Sequence, residues 1–507
     1  MKREINHRKI GFILSYVSIL VSSIIGIVFT PYMIMSLGKI EYGLYQVLHS
    51  TIGYVAMLDF GLGSTLTRYI LKYKASGEQE KVNSVISISI KIYCLIGLAV
   101  MLIVGGISFG LDSFFTGTVN DSNVGYAQKM FIIMGATTAM SLVSHALSGI
   151  QTASEKYIIT KGAYIIKQLI RVGIIAVLLE MDVGAMAVVT ADFAVISIIL
   201  LFDILYCKIG LKTKFFKGKW DNSLAKSLFS FSFFVFLQII IAETNLGLDR
   251  VLLGRFSTLE VVALYGVIMQ LYSLFNSTGN VVCGVTLPRI SNVVFSNADR
   301  ETLTDCCVRY SRYQLHISFP LVGGFIVFGR MFVSLWAPQY DSTAVWICAM
   351  LIIFPQVLES VEGTIFHVMK AKNLQKMRSL ILFAVMLGNI GMTIGLIHWN
   401  DIFGPALGTF ISFVIGNTIL SNIYYHKKVG VNMIRYFRGL FNGILPAWII
   451  SIAIGMGITF IPVGGWLGFI VKGFLYVLVY GLLVLAIGLN RNEKQIVVKL
   501  RKKLFKR

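Results

Sequence analysis

Long apolar stretches recur along this chain from Ile10 onward, separated by short polar loops. A helix needs about 20 apolar residues to cross the hydrocarbon of a bilayer, because every backbone N–H and C=O must be satisfied inside the segment. The pattern predicts helices over 10–35, 42–66, 82–111, 126–150, 162–179 and 184–207. After a basic stretch, six more follow over 224–246, 261–287, 307–335, 343–368, 379–397 and 402–425, then a final pair over 440–460 and 466–489. The expected fold is an all-α polytopic membrane protein with about fourteen transmembrane helices.

Composition narrows this further. Of 507 residues 56% are hydrophobic and only 14% charged, which no soluble chain of this length resembles. The formal net charge of +21 needs no nucleic acid to explain it. Lys and Arg concentrate in alternate loops, and the outward loops are left with Lys39, Arg250 and Arg255. Positive loops favour the cytoplasm, so both termini are expected there, in a bacterial inner membrane, which requires an even number of spans. The tail from Arg491 to Arg507 holds eight Lys or Arg in seventeen residues and reads as an amphipathic segment on the inner leaflet, attracted to anionic membrane lipids. Nothing at the N-terminus reads as a cleavable signal. The six Cys lack metal-ligand spacing, and no disulfide framework or cofactor is expected.

Self-comparison reveals a repeat. Gly63-Ser-Thr65-Leu66-Thr-Arg68 matches Gly284-Val-Thr286-Leu287-Pro-Arg289 at an offset of 221 residues, and Lys91 falls on Arg312 at the same offset. A repeat of six helices enters the membrane twice in the same direction, which implies two lobes related by a pseudo-twofold along the membrane normal. The expected organisation is an N-lobe over 1–207, a cytoplasmic basic linker over 208–222, a C-lobe over 223–425, two further helices over 426–489 and a basic tail over 490–507. Secondary transporters of this plan hold substrate between their halves and rock in alternating access.

Ionisable residues inside spans cost at least a few kcal/mol, so each is expected to face a cavity or a partner. The cations Arg68, Lys91, Lys167, Arg171, Arg289 and Arg312 fall toward the cytoplasmic half or the middle of their helices. Lys91 lies nine residues past Val82, about 14 Å into a core about 30 Å thick. Paired across a pseudo-twofold, Arg68 with Arg289 and Lys91 with Arg312, with Arg171 added, they would line a cavity suited to an anionic substrate. Near the inner interface, Arg68 and Arg289 could instead snorkel. Asp59, Asp192, Glu243, Glu359 and Glu362 are the buried acids, and Asp59, Glu243, Glu359 and Glu362, with His316, are candidates for a cation or proton site; the alternative is that each acid neutralises a neighbouring Arg. His49 and His367, near helix ends, read as interfacial, and Trp336, Trp399 and Trp466 as anchors at the outer surface. Pro31, Pro288, Pro320 and Pro355 permit bends.

Together these residues carry a resemblance. Ser36-Leu-Gly-Lys-Ile-Glu-Tyr-Gly-Leu-Tyr45, Leu58-Asp-Phe-Gly-Leu-Gly63 with Arg68-Tyr69, and Leu248-Asp-Arg-Val-Leu-Leu-Gly254 resemble the Wzx-type oligosaccharide flippases of the multidrug/oligosaccharidyl-lipid/polysaccharide exporter superfamily. The resemblance implies cation-gradient-coupled translocation of an undecaprenyl-diphosphate-linked glycan to the outer leaflet, without catalytic residues, and polysaccharide assembly proteins as partners. A diphosphate with its sugars cannot cross hydrocarbon unaided, and no P-loop is present to supply ATP hydrolysis. Three alternatives compete: a lipid II flippase, whose first helix would carry arginines that 10–35 lacks; a multidrug/cation antiporter, which would want an acidic cavity; and a membrane-embedded polymerase or ligase, which would want a larger outward loop than 112–125.

Overall fold

The computed structural model describes residues 2–116, 118–119, 123–213, 215–216, 218, 220–296, 298–372, 374–490, 492–495 and 498; within its helices the side chains of 2–13, 15–16, 157, 231, 234–235, 237–238, 242, 245–246, 278–289, 291–292 and 375 lie outside the description. Among the described residues the chain is helical throughout, with no strand.

The first part consists of α1 Lys2–Ala56, α2 Leu62–Ala75, α3 Gln79–Ser108, the single turn α4 Leu111–Phe114, α5 Val124–Ala153, α6 Tyr157–Glu180, α7 Met186–Leu205, α8 Asn222–Phe256 and α9 Leu259–Phe295. There follow α10 Arg300–Trp336, α11 Ser342–Val361, α12 Gly363–Ala371, α13 Gln375–Ile397, α14 Phe403–Phe413, α15 Ser421–Tyr424, α16 Met433–Phe441, α17 Ile444–Ile458 and α18 Gly465–Leu483. Widened π-type turns extend α7 to Gly210, α14 through α15 to Val429, and α18 to Gly488.

Each of the fourteen predicted segments coincides with helix, but the count of fourteen spans is not established. Among the described residues eleven helices are long and apolar enough to cross a membrane, or twelve if Met433–Phe441 and Ile444–Ile458, bent by 43°, act as one. The first of these extends from Val17 to Ala75 and covers both of the first two predicted spans. Within it Gly38 breaks α1 at φ 69°, ψ 176°, a left-handed angle that only glycine takes without strain.

The chain divides into two compact units, Met1–Gly266 and Val267–Arg507. In the first unit α8 lies along α1 and α2: Thr65 Oγ1 and Ser232 Oγ are 2.8 Å apart, and the Phe60 and Phe236 rings 4.3 Å. The expected linker 208–222 thus falls inside this unit. Close helix packing explains much of the glycine. A Cβ on Gly43 would stand 2.0 Å from the Leu259 carbonyl oxygen, and one on Gly149 3.0 Å from that of Gly63. In the repeat motif, then, Gly63 and Thr67 serve to join α2 to α5, where Thr67 Oγ1 donates to the Gly149 carbonyl at 3.1 Å.

Two interfacial expectations are corrected here. Trp336 is 1% exposed and stacks on Phe332 within the second unit, so it anchors packing rather than a surface, whereas Trp399 and Trp466 are exposed. His367 is buried as well.

Candidate substrate and coupling sites

In the first unit the second half of α1 aligns Tyr42, Tyr45, Gln46 and His49 on one face by their spacing of three and four residues. Gln46 Nε2 donates to the Tyr42 hydroxyl at 2.7 Å, and Arg250 Nη1 of α8 donates to Gln46 Oε1 at 2.9 Å. Arg250 Nε is buried with no hydrogen-bond partner among the described residues. Arg171 of α6 grips Asp192 of α7 in a two-pronged pair, Nε to Oδ1 and Nη2 to Oδ2, the second at 3.1 Å. Tyr45 is within electrostatic reach of Arg171, Asp192 and Arg250. His49, whose ring centroid is 5.4 Å from that of Tyr45, has the same three neighbours and an exposed side chain, so it belongs to this cluster and not to an interface. The arrangement joins planar cationic donors, aromatic hydroxyls and an amide, the set that recognises phosphate and sugar oxygens.

Asp59 occupies a three-residue 3-10 turn between α1 and α2, closed by left-handed Phe60 and Gly61 at φ 51° and 64°. The buried Tyr93 donates its hydroxyl to Asp59 Oδ1 at 2.6 Å, and His145 Nδ1 lies 3.7 Å from Oδ2.

The second unit brings Glu359 and Glu362 to the joint between α11 and α12. Glu359 accepts from Arg378 Nη2 at 2.8 Å and from Asn417 Nδ2 at 2.7 Å, while Arg378 Nε reaches the Tyr425 hydroxyl at 3.0 Å. Glu362, 6% exposed, accepts from Asn422 Nδ2 at 3.0 Å and makes no ion pair among the described residues. The Oδ1 atoms of Asn417 and Asn422 are buried and lack hydrogen-bond partners among the described residues. No group of three or more His, Cys, Asp or Glu fit to hold a metal ion occurs among the described residues.

The cations expected to act in pairs have unlike surroundings. Lys91 shares the exposed stripe of α3 with Leu95, Leu98 and Leu102, opposite the face that packs on α2 and α5. Arg312 is a correction. It is 1% exposed, and all five N–H groups are spent within the second unit: Nε and Nη2 on Glu493, both at 2.8 Å, and the rest on the carbonyls of Gly439, Leu440, Asn442 and Gly488. A guanidinium so committed has no donor left for a ligand. His316 lies beside it, with Nε2 3.6 Å from Glu493 Oε1. Arg68 and Glu243 are exposed on α2 and α8, Lys167 is part-buried on α6, and Arg289 lies in α9 with its side chain outside the described residues. Asp192 and Glu359 each have an Arg partner.

Sequence reasoning missed Arg250, Arg378 and Glu493. The apolar run ends at 246 and leaves Arg250 in an expected loop, whereas the helix runs on to Phe256 and Gln46 meets the charge inside the bundle. For Glu493 a signal was present: Asn490-x-x-Glu493 is a capping-box spacing.

An all-helical chain with eleven or twelve candidate spans among its described residues is a polytopic membrane protein by class. A sequence profile described as polysaccharide biosynthesis protein matches residues 9–294, and the chain belongs to that family. It is 22% identical over 519 residues to the uncharacterized membrane protein EpsK of Bacillus subtilis (strain 168), covering 97% of each. Among solved structures it is similar to the lipid II flippase MurJ in an inward closed conformation, with a TM-score of 0.71, 15% identity, and 93% and 98% of the two chains covered. It is also similar to an inward-facing multidrug resistance MATE family transporter of the MOP superfamily, with a TM-score of 0.59, 12% identity, and 83% and 93% covered. The fold is therefore the one those transporters share.

Proposed function

We propose that this protein moves an undecaprenyl-diphosphate-linked oligosaccharide from the cytoplasmic to the outer leaflet of a bacterial inner membrane by alternating access. The observation that carries this reading is the cluster of Arg171, Arg250, Gln46, Tyr45 and His49 inside the first unit. Guanidinium groups bind a diphosphate through two-pronged hydrogen bonds, and hydroxyls and amides answer sugar oxygens. Arg250 reaches this cluster with a donor to spare; Arg171 would give up part of its hold on Asp192 as the phosphate arrives. Arg68 and Arg289 stand as the entry cations of the same proposal. The family assignment supports a glycan pathway, and assembly proteins of that pathway are the expected partners.

Coupling to a cation is assigned to the second unit, at Glu362 with Asn417 and Asn422. A buried carboxylate with two amide oxygens lacking donors is the hard-oxygen environment that suits a small cation or a proton. A multidrug antiporter reading is weaker, because Arg378 pairs with Glu359 and leaves that acid less able to attract a cationic drug.

The test is leaflet exchange of a lipid-linked oligosaccharide in proteoliposomes, with dye efflux followed in parallel. Arg250→Ala is expected to slow exchange by about tenfold or more, the worth of a charge-assisted hydrogen bond. Wild-type exchange that Arg250→Ala and Arg171→Ala both leave unchanged, or dye efflux without exchange, would overturn the proposal.

A further inference from the structure

The C-terminal segment begins with a device that binding a glycan does not explain. Asn490 N–H donates to Glu493 Oε2 at 2.8 Å and Glu493 N–H to Asn490 Oδ1 at 2.9 Å, a reciprocal cap that starts a helical turn over 492–495. The same carboxylate receives the buried Arg312 through two hydrogen bonds. Arg312 also ties down the carbonyls of Gly439, Leu440 and Asn442 at the end of α16, and of Gly488 at the end of the α18 run, at 2.7 to 3.2 Å. Carbonyls at helix ends have no intrahelical partner and carry partial negative charge, so one guanidinium there fastens two helix ends and the start of the tail together.

What leaves this anchor is strongly basic. Residues 494–507 contain seven Lys or Arg and no acid, and at helical spacing Ile496, Val497, Leu500 and Leu504 share a face. We propose that the Arg312–Glu493 latch sets the take-off of this tail so that it docks on anionic phospholipid headgroups of the inner leaflet. The orientation rests on the reading of the chain ends as cytoplasmic. Each Lys or Arg near an anionic surface adds to the attraction, which salt screens, but a tail with a free take-off pays the entropy of finding the surface. The latch removes that cost, making Glu493 a positioning residue for the tail.

The test uses the full chain in nanodiscs of phosphatidylcholine alone or with phosphatidylglycerol, reading the rate at which trypsin removes the tail. Phosphatidylglycerol should slow cleavage of the wild type by about tenfold or more, as several basic residues engage the surface. The triple variant Arg501→Gln, Lys502→Gln, Lys503→Gln, scored at its remaining Lys and Arg sites, should lose most of this protection, and high salt should reduce it. Glu493→Gln should lose it as well, and Asn490→Ala, which leaves the buried ion pair intact, should lose part of it while the protein remains monodisperse. Cleavage indifferent to phosphatidylglycerol would overturn lipid docking; full protection in both Glu493→Gln and Asn490→Ala would overturn the latch. A C-terminal green fluorescent protein fusion that stays dark would show an outward tail and overturn the orientation, a failure separate from that of glycan transport, which leaflet exchange reads.

Discussion

Arg312 and Glu493, 181 residues apart, form a two-pronged ion pair with both hydrogen bonds at 2.8 Å and side chains 1% and 6% exposed. The pair closes the C-terminal hairpin of α17 and α18 back onto α10, beneath a core that includes Leu315, Phe319, Tyr436, Ile444 and Tyr480. Removing one partner strands a buried charge. Glu493→Gln is expected to lower stability by about 3 kcal/mol, the lower end for a broken buried pair, because the carbonyls around Arg312 still receive it. Thermal unfolding in detergent measures this. The double variant Arg312→Gln with Glu493→Gln should cost less than the sum of the single changes, and strict additivity would argue against the pair.

The same pair carries a pH dependence. Burial alone would raise the Glu493 carboxyl, but the hydrogen bonds from Arg312 and from the Asn490 N–H, with His316 close by, outweigh it and hold the group down at about 2, against an ordinary 4.5. A carboxylate depressed on folding stabilises the protein fully above its unfolded value and loses that contribution as pH falls through its folded value. The difference in melting temperature between wild type and Glu493→Gln should therefore be constant above about pH 5 and shrink between 4.5 and about 2. A difference that grew on acidification would contradict the assignment.

Gly43 sits in the segment that first suggested the family, and it has a packing reason to be there. A Cβ would lie 2.0 Å from a backbone carbonyl oxygen of Leu259, which cannot swing aside as a side chain can. Gly43→Ala should therefore separate α1 from the start of α9 and cost about 1–3 kcal/mol, as overpacking does. Gly53→Ala, with nothing within 4 Å of its Cβ, is the control and should be close to neutral. Equal melting temperatures for the two variants would remove the argument.

These cases show what could be read without coordinates. Apolar run length fixes helices because the bilayer demands it, and each predicted segment became helix. The family strings were legible because their glycines and acids serve close packing and capping: Gly38 takes a left-handed angle, Gly43 meets a backbone, and Glu41 accepts the Ala185 N–H at 2.6 Å at the start of α7. Which way a charged side chain faces was not legible. Lys91 and Arg312 match in a repeat, yet the first lies on an exposed stripe of α3 and the second is fully consumed by carbonyls and Glu493. Depth along a helix says nothing of azimuth, and an Arg buried for structure leaves the same trace in sequence as one held for a ligand.

Arg171 and Asp192 illustrate a weaker pair, since their side chains are 25% and 26% exposed and solvent screens them. A double-mutant cycle of Arg171→Ala and Asp192→Ala is expected to give a coupling of about 1 kcal/mol in thermal stability. Function should separate the two. Arg171→Ala slows leaflet exchange, whereas Asp192→Asn, which leaves the guanidinium with an amide oxygen and freer donors, keeps exchange within a few-fold of wild type. If Asp192→Asn proves as damaging as Arg171→Ala, Arg171 acts through the pair and not on the substrate.

Glu359 and Glu362, one helical turn apart, should respond in opposite ways to loss of charge. Glu359 is bound to Arg378, 15% exposed, and to Asn417, so Glu359→Gln strands a cation and is expected to cost stability, about 2–3 kcal/mol for a pair that is partly screened. Among the described residues Glu362 accepts from Asn422 and forms no ion pair, so Glu362→Gln swaps one hydrogen-bonding group for another of the same shape and should leave the melting temperature unchanged or higher. If Glu362 holds the coupling ion, the same variant should retain exchange at zero gradient while losing most of the acceleration that an imposed Na⁺ or proton gradient gives the wild type. A Glu362→Gln protein that is still accelerated in full would move the coupling site elsewhere, with Asp59, held by Tyr93 and faced by His145, the next carboxylate to neutralise.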